Sequence, residues 1–125
     1  MSVARIHNAR MRDLVVSAEA AAAFIGPGET VAMSGFTGSG YPKAVPMALA
    51  QRIEAAHQAG QEFKINLLTG ASTAPELDGA LAKAEGLALR MPFQTDPDAR
   101  KRINSGELDY IDIHLTAVDA LAGVR

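Results

Sequence analysis

The chain has 125 residues, of which 48% are hydrophobic and 21% charged, and its formal net charge is −2. This length predicts one domain with a buried core, and this composition excludes a disordered chain. The weakly negative charge gives no electrostatic basis for binding nucleic acid or an anionic membrane, so we expect neither as a partner. The sequence has no cysteine, which excludes disulfides and thiolate sites and suits a cytoplasmic protein.

Short apolar segments alternate with helical patterns along the chain. Ser17 is predicted to cap the first helix. Asp96 followed by Pro97 is a second helix start, an N-cap residue with proline at the first helical position, and Gly106 is predicted to end that helix. In chain order the patterns predict helix 18–25, strand 30–34, helix 46–59, strand 64–68, helix 75–85, strand 87–91, helix 97–105, strand 110–113 and helix 116–122.

Strands that alternate with helices indicate βαβ units. The predicted fold class is therefore α/β, an open, mainly parallel sheet with helices on both faces. Ligands of such sheets bind outside the carboxyl ends of the strands. The segments predicted to lie at that edge are 34–40, 69–73, 92–95 and His114. Because four short strands make a small sheet of this kind, we expect an incomplete domain that belongs to a larger protein.

The segment after the first strand contains Gly35, Gly38 and Gly40 and leads into a helix. Glycines at such a junction let the backbone adopt positive φ and approach a bound group closely. The N–H groups at the start of the helix favour an anion at the same place. The spacing matches neither the dinucleotide fingerprint nor a P-loop. By spacing alone, a site for a small anion and a tight turn without a ligand both remain open.

Other polar residues give weaker indications. Glu76 is the carboxylate nearest the predicted site, and we interpret it as a first-turn glutamate that favours the helix dipole. His114 is interpreted as a hydrogen-bonded residue at a strand end, and it shares no metal-ligand spacing with His7 or His57, so no metal site is predicted. The basic segment 100–102 is interpreted as a solvated helix face, with a phosphate or a partner domain as the alternative contact. No nucleophile is identified.

The chain resembles the amino-terminal domain of the acetyl-CoA hydrolase/CoA-transferase family, and within it the bacterial succinyl-CoA:acetate CoA-transferases. Three separate segments carry the resemblance: VAMSGFTGSGYPKAVP (31–46), INLLTGAS (65–72) and RMPFQTDPDARKRINSGELDYIDIHL (90–115). They occur in the family's order and with similar spacing, so the resemblance covers nearly the whole chain from about Arg5.

The family resemblance implies a two-domain, homo-oligomeric enzyme of acetate metabolism. Such an enzyme moves CoA between an acyl-CoA and a small carboxylate such as acetate or succinate, or passes the acyl group to water. A glutamate of the second domain forms the glutamyl-CoA intermediate. Coenzyme A is a substrate, and no prosthetic group is implied. We therefore expect residues 1–125 to form the amino-terminal domain, to lack the catalytic domain and to be inactive alone.

The same resemblance implies which residues bind substrate. The family's glycine-rich segment, which faces the cleft between its two domains, corresponds here to Ser34, Gly35, Phe36, Thr37, Gly38, Ser39 and Gly40. No catalytic residue is expected within this chain. The alternative function is a free-standing, non-catalytic module for ligand binding or assembly that uses the same fold.

Overall fold

The fold is built on one sheet of four parallel strands in the order β1-β2-β3-β4. The computed structural model describes residues 3–92, 94–113 and 117. The strands are β1 Thr30–Ala32, β2 Ile65–Leu68, β3 Leu87–Met91 and β4 Asp109–Tyr110. The predicted parallel α/β sheet is therefore confirmed. β3 has the predicted bounds, whereas β1 and β4 are shorter than the sequence pattern indicates.

Five helices are described: α1 Ala9–Arg12, α2 Ala18–Ala22, α3 Ala44–Gln58, α4 Ala80–Lys83 and α5 Pro97–Asn104. Both predicted caps are present, because the Ser17 side chain accepts a hydrogen bond from the amide of Ala20 and Asp96 accepts two from the start of α5. The predicted helix 75–85 is divided. It begins with a wide π-helical turn, Pro75–Gly79, and continues as α4.

The helices from α2 to α5 form one layer. Consecutive members of this series contact each other, as α2 does α3, α3 does α4 and α4 does α5. A strand order that advances in one direction places the right-handed crossovers through α3, α4 and α5 on the same side of the sheet, so these three helices do not cover its second face. The opposite face carries Thr30, Asn66 and Leu89, which are exposed or half-buried.

The core lies between this helix layer and the sheet. Its fully buried members include Leu49 and Ile53 from α3, Ile65 and Leu67 from β2, and Leu81 from α4. Each such side chain contributes roughly 1.5–3 kcal/mol of burial free energy. The core therefore fixes α3 and α4 against β2, and with them the loops that connect these elements.

Two of the sequence-based predictions lie outside the described residues, namely His114 and helix 116–122. The short helix α1 and a 3-10 turn at Val3–Arg5 were not predicted. Among the described helices, none is long and apolar enough to cross a membrane.

Candidate functional site

Three loops lie side by side at the carboxyl edge of the sheet, as predicted: 34–40 after β1, 69–73 after β2 and, after β3, the segment 92–95, of which the structure describes residues 92, 94 and 95. Ser72 joins the second loop to the third. Its Oγ accepts hydrogen bonds from the amide of Thr95, at 2.9 Å, and from the Thr95 hydroxyl, at 2.8 Å. Parallel α/β sheets bind their ligands at this edge. We call 34–40 the glycine loop and 69–73 the β2 turn.

The glycine loop is a tight hairpin. Phe36 donates its N–H to the carbonyl of Ser39 at 3.0 Å, and the Ser39 N–H returns to the Phe36 carbonyl at 2.9 Å. Between them, Thr37 and Gly38 have φ values of 45° and 82°, the pattern of a type I′ turn. The hairpin is exposed, and the Phe36 side chain retains 53% of its accessible surface.

Two backbone hydrogen bonds anchor the glycine loop on the β2 turn. The Thr37 N–H donates to the carbonyl of Ser72 at 2.7 Å, and the Ala71 N–H donates to the carbonyl of Gly35 at 3.1 Å. Because Ser72 and Ala71 are buried, the exposed loop rests on a part of the structure that is packed inside. The structure thus brings all the predicted site residues together in one loop and supports that loop from below.

Gly35 is the position in this loop where only glycine fits. Its φ is +149°, and a Cβ at this position would lie 2.7 Å from Cγ2 of Thr73 and 2.9 Å from Cβ of Tyr41. Gly38 differs, since a Cβ there would meet nothing within 4 Å. Gly35 therefore permits the close approach of the glycine loop to the β2 turn, whereas Gly38 only permits the turn conformation.

The end of the glycine loop is held by side chains. The Ser34 hydroxyl donates to the carbonyl of Gly40 at 2.8 Å. Just beyond the loop, the Tyr41 hydroxyl donates to Glu76 at 2.8 Å and the Lys43 ammonium donates to the same carboxylate at 3.1 Å. These two contacts join the start of α3 to the π-helical turn.

Glu76 is thus a fixed acceptor. The hydrogen bond from Tyr41, followed by that from Lys43, lowers the pKa of the Glu76 carboxyl, and the bond to Glu76 raises the pKa of Lys43. A carboxylate with a lowered pKa is a weak base at neutral pH. This agrees with the interpretation of Glu76 as a structural residue.

A buried ion pair lies beneath the β2 turn. Nε of Arg90 is 2.8 Å from Oδ1 of Asp78, and both side chains are 0% exposed. Sequence reasoning did not single out either residue. The available signal was Arg90 itself, a charged side chain in the middle of the otherwise apolar strand β3, since a charge buried in a sheet must be paired.

The basic segment on α5 is only partly a solvated face. Arg102 forms ion pairs with Glu107 at 2.6 Å and Glu85 at 3.1 Å. Arg100 and Lys101 are exposed, as predicted, and line a shallow groove beside the 92–95 loop. The described residues include no group of three or more His, Cys, Asp or Glu side chains that could hold a metal ion.

Comparison with known proteins gives a family match over almost the whole chain. Residues 5–124 match the model of the acetyl-CoA hydrolase/transferase N-terminal domain. The chain is 47% identical over 112 residues to a succinyl-CoA:acetate CoA-transferase of Clostridium kluyveri, and this match covers 90% of the chain and 20% of that enzyme. It is 42% identical over 103 residues to the propanoyl-CoA:succinate CoA transferase of Escherichia coli, covering 82% and 21%.

Hydrolases are also among the relatives. The chain is 39% identical over 89 residues to an acetyl-CoA hydrolase of Neurospora crassa, covering 71% of the chain and 17% of the hydrolase. The fold is similar to that of an acyl-CoA transferase apoenzyme from E. coli O157:H7, with a TM-score of 0.64, 17% identity, and coverage of 81% of this chain and 20% of that one. The chain therefore spans about a fifth of the length of these proteins.

Proposed function

The chain belongs to the acetyl-CoA hydrolase/CoA-transferase family, and we propose that it forms one wall of an active site that moves CoA between an acyl-CoA and a small carboxylate such as acetate or succinate. The other wall belongs to a second domain, which carries the nucleophile. The observation that carries this proposal is the glycine loop, anchored on the β2 turn at the carboxyl edge of the sheet.

The proposed reaction divides into steps that each move negative charge. A glutamate of the second domain attacks the thioester carbonyl and expels the CoA thiolate, which leaves an acyl-glutamyl anhydride. The thiolate then attacks the glutamyl carbonyl and releases the acyl group as a carboxylate, which leaves a glutamyl-CoA thioester. An acceptor carboxylate attacks this thioester and reverses the sequence, or water ends it in a hydrolase. Both half-reactions require a place for a small anion.

The glycine loop suits that requirement. Among the described contacts, the amides of Gly38 and Gly40 take no part in the hydrogen bonds that hold the loop, and both residues are exposed. α3 begins just after the loop, and its N-cap residue, Lys43, makes no side-chain capping bond. Free N–H groups and the positive end of a helix dipole favour a carboxylate. We assign the loop, Ser34 to Gly40, to the carboxylate side of the cleft.

A chimeric enzyme tests the proposal. The 112 matched residues of the C. kluyveri transferase are replaced by the corresponding segment of this chain, and formation of acetyl-CoA from succinyl-CoA and acetate is measured. We expect the chimera to transfer CoA and the 125-residue chain alone to show no turnover. A folded chimera without activity would contradict the proposal. So would turnover by the isolated chain that Glu76→Gln abolishes.

A pair of glycine substitutions in the chimera tests the role of the loop. Gly38→Val places a branched side chain at the exposed tip, and we expect a higher KM for acetate and a lower kcat. Gly60→Val is the matched control, because Gly60 also has positive φ, at +74°, and also has nothing within 4 Å of a Cβ, but it follows α3 at the other end of that helix. Equal KM and kcat values for both variants would contradict the assignment of the glycine loop to the substrate site.

A further inference from the structure

The buried ion pair has an arrangement that stability alone does not explain. Arg90 donates two hydrogen bonds to the Asp78 carboxylate, from Nε to Oδ1 at 2.8 Å and from Nη2 to Oδ2 at 3.1 Å. Removing two charges from water is costly, and well-packed apolar residues often give equal or greater stability than a buried ion pair. The other contacts of Asp78 and Arg90 therefore indicate what the pair does besides contributing to stability.

Those contacts reach along the β2 turn. Nη2 of Arg90 donates to the Thr69 hydroxyl at 2.7 Å and to the Ala71 carbonyl at 3.4 Å. Oδ2 of Asp78 accepts from the Thr73 amide and from the Thr73 hydroxyl, both at 2.7 Å. The pair thus holds the turn at its beginning, middle and end. The planar guanidinium suits this role, because it presents several donors in one rigid fork.

The β2 turn in turn supports the glycine loop. Ala71 and Ser72 make the two backbone hydrogen bonds to Gly35 and Thr37, and Thr73 packs where a Gly35 side chain would lie. We propose that Asp78 and Arg90 are positioning residues, which fix the glycine loop through the β2 turn without touching a ligand. That the loop they fix meets a carboxylate rests on the proposed function, whereas the positioning role rests on these contacts alone.

Amide hydrogen exchange in the 125-residue chain tests the positioning role without any substrate. The probes are the amides of Thr37 and Ala71, and the amide of Leu67 in the centre of β2 is the reference. Arg90→Lys keeps the charge beside Asp78 but loses the fork. Thr73→Val removes the hydroxyl that donates to Asp78 and keeps the side-chain volume, the amide bond to Asp78 and the ion pair, so it tests the role even if Arg90→Lys does not fold.

We expect Thr73→Val to speed exchange at the two probe amides about tenfold relative to the reference, the effect of losing one hydrogen bond to a charged group. Thr73→Ser, which keeps the hydroxyl, should restore the original rates. Thr30→Val is the matched control, because Thr30 also loses a side-chain hydrogen bond, to Asn66, but lies at the far end of β1. It should leave both probe amides unchanged.

Two results would overturn the positioning role. One is unchanged exchange at Thr37 and Ala71 in Thr73→Val. The other is an equal increase at Leu67, which would mean that the pair supports only the stability of the whole domain. An inactive chimera with locally accelerated exchange would instead contradict the proposed function and leave the positioning role standing.

Discussion

The N–H of Thr37 donates to the carbonyl oxygen of Ser72 across 2.7 Å, and this bond ties the exposed tip of the glycine loop to a residue that is 0% exposed. An exposed hairpin with four residues at positive φ has little packing of its own. Its order therefore depends on what lies beneath it. Here the support is the β2 turn, whose hydrogen bonds are made by the buried charges of Asp78 and Arg90. Substitutions in this pair are therefore expected to alter the order of the loop tip.

Gly35 and Gly38 should differ in how much an added methyl group lowers the free energy of unfolding. Gly35→Ala forces a Cβ against Thr73 and Tyr41 and is expected to lower the free energy of unfolding by roughly 2–4 kcal/mol. Gly38→Ala meets open space and should cost only about 1 kcal/mol, the strain of positive φ. Urea unfolding of both variants measures the difference. Equal losses would mean that the close approach at Gly35 is not a constraint.

Acidification should weaken the Glu76 contacts in a defined direction. Tyr41 and Lys43 hold the folded-state pKa of Glu76 below its ordinary value of 4.5. A carboxylate with a depressed pKa contributes stability above its unfolded pKa, and this contribution is lost as the pH falls through the folded pKa. Glu76→Gln should therefore reduce stability near neutral pH and flatten the loss of stability below pH 4.5. Unfolding by urea at a series of pH values measures this.

Substitutions of Tyr41 and Lys43 can measure directly what lowers the pKa of Glu76. Tyr41→Phe removes the largest contribution to the lowered pKa of Glu76, so an NMR titration should show that pKa rising toward 4.5. Lys43→Met should also raise it, because it removes the second hydrogen bond and the ammonium charge. A pKa that Tyr41→Phe leaves unchanged would contradict the role of the phenol.

The two helix caps should differ in how much they contribute to the free energy of unfolding. Asp96 is 5% exposed and accepts hydrogen bonds from the amides of Asp98 and Ala99 at 3.0 Å, whereas Ser17 caps the short, exposed helix α2 with one bond. Asp96→Ala is expected to cost about 2 kcal/mol and Ser17→Ala about 0.5 kcal/mol, the two ends of the range for N-caps. Thermal unfolding compares them. A smaller loss for Asp96→Ala would contradict this order.

Local signals in the sequence predicted local structure well. Asp96 and Pro97 specify a helix start by themselves, and the loops at the carboxyl edge follow from the alternation of strands and helices. The π-helical turn could not be predicted in this way. In it the amide of Ala80 bonds back to the carbonyl of Pro75, and the turn carries Asp78, whose partner Arg90 lies on another strand.

The arrangement of α3, α4 and α5 on one side of the sheet also depends on contacts between distant segments of the chain. A helical pattern predicts which side of a helix is apolar, but the side of the sheet on which that helix packs depends on the strand order. That order is set by contacts between segments far apart in the sequence. The support of the glycine loop is a further example, because the bonds from the β2 turn to Gly35 and Thr37 join residues of different βα units.

Exposed apolar side chains near the N-terminus predict self-association. Leu14 and Val16 retain 69% and 54% of their accessible surface, and Phe24 retains 82%. Apolar surface of this kind is typical of a protein interface, so we expect the isolated chain to form oligomers at micromolar concentration. Leu14→Lys with Val16→Lys should weaken the association by about tenfold or more, since lysine places a charge in the contact. Tyr110→Lys, at an exposed position on β4, is the control and should leave association unchanged. Analytical ultracentrifugation measures the three chains, and a wild-type chain that stays monomeric throughout would show that this apolar surface does not drive association.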